Sequence, residues 1–178
     1  TLDELEAHLD AARHSTDAPP MIDWNKKTDR ELIDFLVNVH HASLHRQLPE
    51  FDRWFVRALK VHADHIGELL PVYKLFTALR TELEPHLLKE EMMVFPAILN
   101  RRPPEEMKSV LKELEAEHAG AGDTLRKLNA LTDGYKTPEF ACPTVEMLYD
   151  GLMRLESALH DHIYLENNIL FPRAVAKK

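Results

Sequence analysis

Two segments of the sequence decide its fold and its chemistry: HLLKEEMMVFP at residues 86–96 and HIYLENNILFP at residues 162–172. Both follow one pattern, which is a histidine, three residues, a glutamate, four residues and a Phe-Pro pair. Four residues complete about one turn of an α-helix, so the histidine and the glutamate of each segment share one helical face. The two segments therefore predict two helices that each present an imidazole and a carboxylate on the same side.

Apolar residues recur around these segments at alternating spacings of three and four, which is typical of helices that pack in a bundle. The third predicted helix carries the clearest stripe: Met107, Leu111, Leu114, His118, Ala121, Leu125 and Leu128. The stripe of the fourth is Leu148, Leu152, Leu155, Leu159, His162, Glu166 and Ile169, and that of the second is Leu79, Leu83, His86, Glu90 and Ala97. The polar residues that interrupt these stripes are histidines and glutamates.

The start of the first helix is marked by a capping box. Thr28 and Glu31 have the spacing at which each side chain satisfies a free backbone amide of the first turn. We therefore predict a helix over about 29–62. Pro49 should bend it, because proline removes a hydrogen bond from the helix interior.

Prolines and capping residues also bound the other three helices. The second is predicted over about 68–100 and the third over about 104–131, with a proline at its first position. The fourth is predicted over about 145–170, capped by Thr144 and closed by Phe171-Pro172. Four helices joined by short loops predict an all-α, antiparallel up-down-up-down four-helix bundle.

The chain divides into a short N-terminal appendage and one main domain. Residues 1–27 read as a short amphipathic helix over 1–13 followed by a proline-containing linker, and residues 28–178 form the bundle domain. The sequence does not open with methionine, so we expect that an upstream portion has been removed.

The histidines of the predicted helices fall at one depth in the bundle. At 1.5 Å per residue, His86 and His118 both lie about 23–26 Å from the turn that joins their helices. The same arithmetic brings His162 to this level. On the first helix, the adjacent residues His40 and His41 both lie near this level, and periodicity alone does not decide which of them faces the core.

A buried layer of imidazoles and carboxylates predicts a metal centre. Each unpaired polar group costs on the order of 1–3 kcal/mol when buried, and a buried charge costs more. The second and fourth helices lie diagonally across the bundle, so Glu90 and Glu166 can both bridge two metal ions. Imidazole combined with bridging carboxylate favours iron or manganese, whereas a structural zinc site favours thiolates.

The remaining candidate groups are assigned to the surface or to loops. Glu91 and His160 fall off the apolar stripes and are expected to be solvated. His62 and His65 lie near the first turn, about 30 Å from the layer, and are expected to be surface residues. Cys142, the single cysteine, is placed in a loop.

Composition excludes several classes of function. A formal charge of -8 leaves no basic surface for nucleic acid. One cysteine cannot form an intramolecular disulfide framework or a cysteine-based zinc or iron–sulfur site. The sequence contains no run of 18 apolar residues that could span a membrane, so we expect a cytoplasmic protein without membrane contact.

The sequence resembles the repair-of-iron-centres (RIC) family of hemerythrin-like di-iron proteins over about residues 23–174. The resemblance rests on six segments: HHASLHRQLPE (40–50), KVHADH (60–65), HLLKEEMMVFP (86–96), EAEHAGAG (115–122), PEFACPTVEMLYDGL (138–152) and DHIYLENNILFPRA (161–174). It implies a hemerythrin-like bundle with two iron ions bridged by two carboxylates. The ligands that it implies are His41, His86, Glu90, His118, His162 and Glu166. His41 is chosen over His40 because the family's ligand precedes the proline of LPE by eight residues.

The resemblance also implies a function. The protein would repair or protect iron–sulfur clusters under nitrosative or oxidative stress, by iron donation or by handling NO. Iron–sulfur proteins would be its targets, NO or O2 its small ligands, and the chain would be a monomer or a homodimer. A sensor that binds O2 or NO and an enzyme that reduces NO are the alternatives.

Two departures from related proteins refine this expectation. RIC proteins often carry an N-terminal domain with a cysteine pair, of which residues 1–13 would be the last helix. Oxygen-carrying hemerythrins have a fifth histidine, whereas here His118 is followed at i+4 by Gly122. Four histidines leave more open metal positions, which favours reactivity or labile iron over oxygen storage.

Overall fold

The computed structural model describes residues 22–176, and four long helices account for most of them. Three of these helices contain one π-helical turn each. The segments are α1, Asp29–Phe35, Leu36–His41 (π) and Ala42–Val61; α2, Ile66–Lys89, Glu90–Val94 (π) and Phe95–Leu99; α3, Pro104–Leu131; and α4, Pro143–Leu165, Glu166–Leu170 (π) and Phe171–Val175. The predicted helix over 1–13 lies outside the described residues, and the domain division after residue 27 stays a prediction.

The helices pack as the predicted up-down-up-down bundle. Each helix packs against the next along the chain, and α1 also packs against α4. This order places α2 diagonally opposite α4, which brings the two His-Glu segments to face each other. Within residues 22–176, no helix is both long and apolar enough to cross a membrane.

The start of α1 confirms the predicted capping box. The Thr28 side chain accepts a hydrogen bond from the Glu31 amide at 3.2 Å, and the Glu31 carboxylate accepts one from the Thr28 amide at 2.9 Å. The prediction that Thr144 caps α4 is wrong. The cap is Cys142, and Pro143 takes the first helical position, where its missing N–H costs no hydrogen bond.

The prediction that Phe171-Pro172 ends the fourth helix is also wrong. The amide of Phe171 donates to the carbonyl of Glu166, five residues back, and α-helix then resumes through Val175. This wider turn places Pro172 in the first turn of the new α-helical segment, where no amide proton is required. The first helix likewise continues through Pro49, and its irregular turn lies at Leu36–His41.

The apolar stripes are buried as predicted, with one correction. Every residue of the predicted α3 stripe is buried. On α2 the stripe shifts by one residue after Glu90: Ala97 is half-buried, whereas Val94 and Ile98 are buried. The π turn inserts one extra residue at this point, so the face that points into the core moves by one position.

Two apolar clusters fill the core, one on each side of a polar layer. Phe51, Phe55 and Phe76 belong to the larger cluster, and Phe95 and Phe171 belong to the smaller one. The buried polar side chains of the described residues are Thr132 and the six predicted ligands, His41, His86, Glu90, His118, His162 and Glu166. The fold therefore collects the predicted site residues into one enclosed layer.

Candidate metal centre

The polar layer consists of two groups of side chains that share both glutamates. In each group the potential ligand atoms lie within 4.8 Å of one another. The first group contains His86 and His118, and the second contains His41 and His162, each together with Glu90 and Glu166. The structure thus brings all six predicted residues together.

Each histidine pair has the geometry of two ligands on one metal ion. The Nε2 atoms of His86 and His118 lie 3.0 Å apart, and those of His41 and His162 also lie 3.0 Å apart. Two nitrogens bound at about 2.1 Å and at right angles to each other are separated by about 3 Å. Both pairs therefore fit a metal ion at their centre.

The carboxylate of Glu90 turns one oxygen toward each histidine pair. Its Oε1 lies 3.3 Å from Nε2 of His86, and its Oε2 lies 3.5 Å from Nε2 of His41. Glu166 repeats this arrangement, with Oε2 3.2 Å from Nε2 of His118 and Oε1 3.2 Å from Nε2 of His162. Each glutamate is therefore oriented to bridge the two positions.

The burial of these carboxylates also calls for a cation. Both side chains are completely buried, and none of the four oxygens of Glu90 and Glu166 has a hydrogen-bond partner among residues 22–176. A buried carboxylate without partners costs far more free energy than a solvated one. One metal ion at each histidine pair would satisfy all four oxygens.

The three π turns lie at the layer itself. His41 is the last residue of one turn, and Glu90 and Glu166 are the first residues of the other two. Single π turns within α-helices are frequent at functional sites. The sequence analysis missed them, although the prolines at 96 and 172 were a usable signal, because a helix interior accommodates proline poorly without such a turn.

Three of the four histidines are held from behind by a hydrogen-bond acceptor on the other ring nitrogen. Nδ1 of His86 lies 2.6 Å from the Glu117 carboxylate, and Nδ1 of His118 lies 2.8 Å from the amide oxygen of Asn167. An Nδ1–H that donates to such an acceptor leaves Nε2 as a lone pair that points into the layer. No local pattern in the sequence marks these partners.

Glu91 has this role for His41, so its assignment to the solvated surface is wrong. The Glu91 side chain is 27% exposed, and one of its oxygens lies 2.8 Å from Nδ1 of His41. The same oxygen lies 3.3 Å from Nε2 of His45, which is exposed. Glu91 is drawn inward because the π turn of α2 begins one residue earlier, at Glu90.

The carboxylates also control the protonation of the metal-free layer. Burial lowers the pKa of His118, but the adjacent carboxylates of Glu166 and Glu90 outweigh it and raise that pKa to about 10. Burial and the nearby His162 lower the pKa of His41. Burial raises the pKa of Glu166, but His162 and His118 outweigh it and hold that pKa below its usual range. The metal-free layer therefore contains the ionised carboxylate of Glu166 beside the protonated imidazole of His118.

An apolar cleft of about 620 Å³ leads to the histidines. His86, His118 and His162 form its inner end. Much of its remaining wall is apolar: Leu79, Leu83, Pro85, Ala116, Ala121, Leu159 and Ile163. A small uncharged molecule could reach the layer by this route.

His40 does not join either group. Its ring stacks on His162 at 5.7 Å between centroids, and burial lowers its pKa. The structure thus places His41, and not its neighbour, among the potential ligands. His160 is exposed, as predicted.

The histidines near the first turn lie far from the layer, as predicted, and both are partly exposed. His62 and His65 are half-buried against Phe140, with ring centroids 5.4 and 3.9 Å from it. The thiol of Cys142 is beside them, and its pKa is lowered to about 7, chiefly by the neighbouring imidazole of His62 and by the amide of Val145. What the sequence did not indicate is that the loop after α3, which carries Phe140, folds over this end of the bundle and covers part of both rings.

Comparison with known proteins gives a consistent result. Residues 32–174 match the family model for the hemerythrin HHE cation binding domain. The chain is 36% identical to the iron-sulfur cluster repair protein YtfE of Escherichia coli O157:H7 over 154 residues, which cover 86% of this chain and 70% of that protein. It is 34% identical to YtfE of Enterobacter sp. (strain 638) over 175 residues, which cover 98% of this chain and 78% of that protein.

Proposed function

The chain belongs to the hemerythrin HHE family and, within it, to the repair-of-iron-centres family, and we propose that it is a non-haem di-iron protein that repairs or protects iron–sulfur clusters. The observation that carries the proposal is the pair of ligand groups that share Glu90 and Glu166. The targets would be iron–sulfur proteins damaged by nitrosative or oxidative stress. A cytoplasmic location and a monomeric or dimeric state stay predictions.

The donor set supports iron as the metal. Four imidazole nitrogens and four carboxylate oxygens surround the two positions, and the nearest thiol, on Cys142, lies at the start of α4, about 30 Å along the helix from His162. Nitrogen and oxygen donors of this kind suit ferrous and ferric iron. Each position has four protein donors, which leaves room for further ligands on an octahedral ion.

Different residues of the chain would bind the metal ions and exclude water from them. The histidines fix the positions, and Glu90 and Glu166 hold them together while balancing positive charge. The apolar clusters on both sides keep bulk water out of the layer. Two irons bound there would supply reversible ferrous–ferric chemistry, and ferrous iron itself would be the cargo in a repair reaction.

Repair can be tested on an enzyme whose [4Fe–4S] cluster has been oxidised to the [3Fe–4S] form, which needs one ferrous ion and one electron to be restored. Dithiothreitol supplies the electron in every reaction. We expect the iron-loaded protein to restore the activity of the enzyme and the iron-free protein to leave it inactive. An equal concentration of free ferrous iron is the first control. The variant Glu166→Leu, treated with iron in the same way, is the second. Equal restoration by free iron, or full restoration by the iron-free protein, would contradict the proposal.

The apolar cleft favours a second function, the binding of NO or O2. Its inner end is formed by His86, His118 and His162, and small uncharged gases partition readily into apolar channels. A sensor would bind NO reversibly and keep both irons. An NO-reducing enzyme would also need an electron donor and would release N2O. Measurement of iron content and gas products after exposure to NO separates these outcomes from repair.

A further inference from the structure

We propose that the two metal positions are unequal, and that the ion held by His41 and His162 is released before the ion held by His86 and His118. This inference rests on the proposed di-iron function. It identifies the position that supplies labile iron. The observation behind it is the difference in what holds the four imidazoles from behind.

Both imidazoles of the His86–His118 position are supported. Nδ1 of His86 lies 2.6 Å from Glu117, and Nδ1 of His118 lies 2.8 Å from Asn167. Lys89 in turn donates to Glu117 at 2.6 Å, which fixes that carboxylate on the outside of α3. Such outer partners orient a ligating histidine and increase its basicity. This position is therefore held by a continuous set of hydrogen bonds.

Only one imidazole of the other position is supported. Nδ1 of His41 lies 2.8 Å from Glu91, whereas Nδ1 of His162 is buried and has no hydrogen-bond partner in the part of the chain that the structure describes. The ring of His162 is held by packing, with His40 stacked on it at 5.7 Å between centroids. A ligand without an outer acceptor is a weaker base and has a less defined orientation, so it binds a metal ion less tightly.

The carboxylate behind His41 also has a more distant second partner than its counterpart behind His86. The second partner of Glu91 is His45, at 3.3 Å, and the side chain of His45 is 49% exposed. The second partner of Glu117 is Lys89, at 2.6 Å, with a side chain that is 26% exposed. The unsupported ring of His162 and the more distant partner of Glu91 both weaken the position formed by His41 and His162. Both should therefore increase the rate at which its ion leaves.

The test measures release of iron from the whole chain. Protein loaded anaerobically with two ferrous ions is mixed with an excess of a ferrous chelator, and the coloured complex is followed over time. We expect two phases of about one iron each, separated by roughly tenfold or more in rate, because loss of an outer partner changes metal affinity by about 10–100-fold.

Two matched variants assign the phases. Glu91→Gln removes the charge behind His41 and should accelerate only the fast phase. Glu117→Gln removes the charge behind His86 and should accelerate only the slow phase, so that the two phases converge. Both changes keep the size of the side chain and lie outside the six ligands, and circular dichroism checks that both variants remain folded.

The outcomes separate this inference from the proposed function. Failure to load two irons would remove the di-iron function itself, before the chelator is added. Release of both irons in a single phase, from protein that repairs a damaged cluster, would overturn only the inequality of the positions. Acceleration of the slow phase by Glu91→Gln would overturn the assignment.

Discussion

The Nε2 atoms of His86 and His118 lie 3.0 Å apart, although these residues are 32 positions apart in the sequence and belong to different helices. Two lone pairs cannot face each other at this distance, so one of the nitrogens carries a proton in the metal-free protein. The neighbouring carboxylates outweigh burial and raise the pKa of both histidines, that of His118 to about 10, so they favour a proton at this position. A metal ion between the nitrogens would displace the proton, because both imidazoles must then be neutral.

We predict that the protein binds about two irons per chain. Anaerobic loading with ferrous iron, removal of the excess and elemental analysis measure the ratio directly. Zinc supplied at equal concentration is the control for metal preference. A protein that retained a single zinc ion and took up no pair of irons would contradict the di-iron proposal.

Replacement of either bridging carboxylate by leucine should abolish iron binding without unfolding the chain. In metal-free protein, Glu90→Leu and Glu166→Leu exchange a buried charge for an apolar group of similar size. The free energy of unfolding should therefore be unchanged or rise by up to about 4 kcal/mol. Chemical denaturation and iron analysis test both parts, and the exposed Glu115→Leu serves as the control. A full complement of iron, or a large loss of stability, would show that these residues are not buried bridges.

Cys142 should be an unusually reactive thiol near neutral pH. Its folded pKa of about 7 means that the thiolate, and with it the rate of alkylation, rises with pH through a midpoint near 7. His62→Phe keeps a ring against Phe140 but removes the polar imidazole beside the thiol, so the midpoint should move up toward the ordinary value of about 8.5. Iodoacetamide labelling followed by mass spectrometry measures the midpoint. An identical profile in both proteins would exclude a role for His62 in activating the thiol.

His62→Phe should also keep the iron content of the wild type. His62 follows the end of α1 and lies 21 residues beyond His41, which is about 30 Å along the helix. Loss of an iron in this variant would mean that the two ends of the bundle communicate. The expected result is an unchanged iron ratio and optical spectrum.

Two helical glycines should respond in opposite directions to alanine. A Cβ at Gly120 meets open space, so Gly120→Ala should raise the free energy of unfolding by roughly 0.5–1 kcal/mol. A Cβ at Gly151 would lie 2.8 Å from a ring carbon of Phe51, which is buried in the core. Gly151→Ala should therefore cost about 1–3 kcal/mol. Thermal and chemical denaturation of both variants give the comparison, and a stabilised Gly151→Ala would show that α1 and α4 can separate.

The residues that join the layer could be predicted because two independent patterns converge on them. The spacing of His86 to Glu90 and of His162 to Glu166 places each pair on one face, and the apolar stripes turn those faces inward. Helix rise alone then brings His118 to the same depth. The capping box at Thr28 was equally readable, because it depends only on residues within one turn.

The features that the sequence analysis missed depend on contacts between helices or on one extra residue in a turn. Glu117 and Asn167 support histidines on other helices, and no local pattern marks them. The shift of the α2 stripe from Ala97 to Ile98 comes from a π turn, which leaves the apolar composition of the helix unchanged. The environment of Cys142 depends on how the loop at Phe140 folds over the end of the bundle.

The π turns give the bundle two structural phases. One residue corresponds to about 100° of rotation around a helix axis, so α1, α2 and α4 each change phase where they cross the layer, whereas α3 keeps a single phase from end to end. A deletion of one residue from a π turn would rotate everything beyond it relative to α3. The two apolar clusters are therefore packed in different helical phases, and an apolar pattern continued without a break through the layer would fit only one of them.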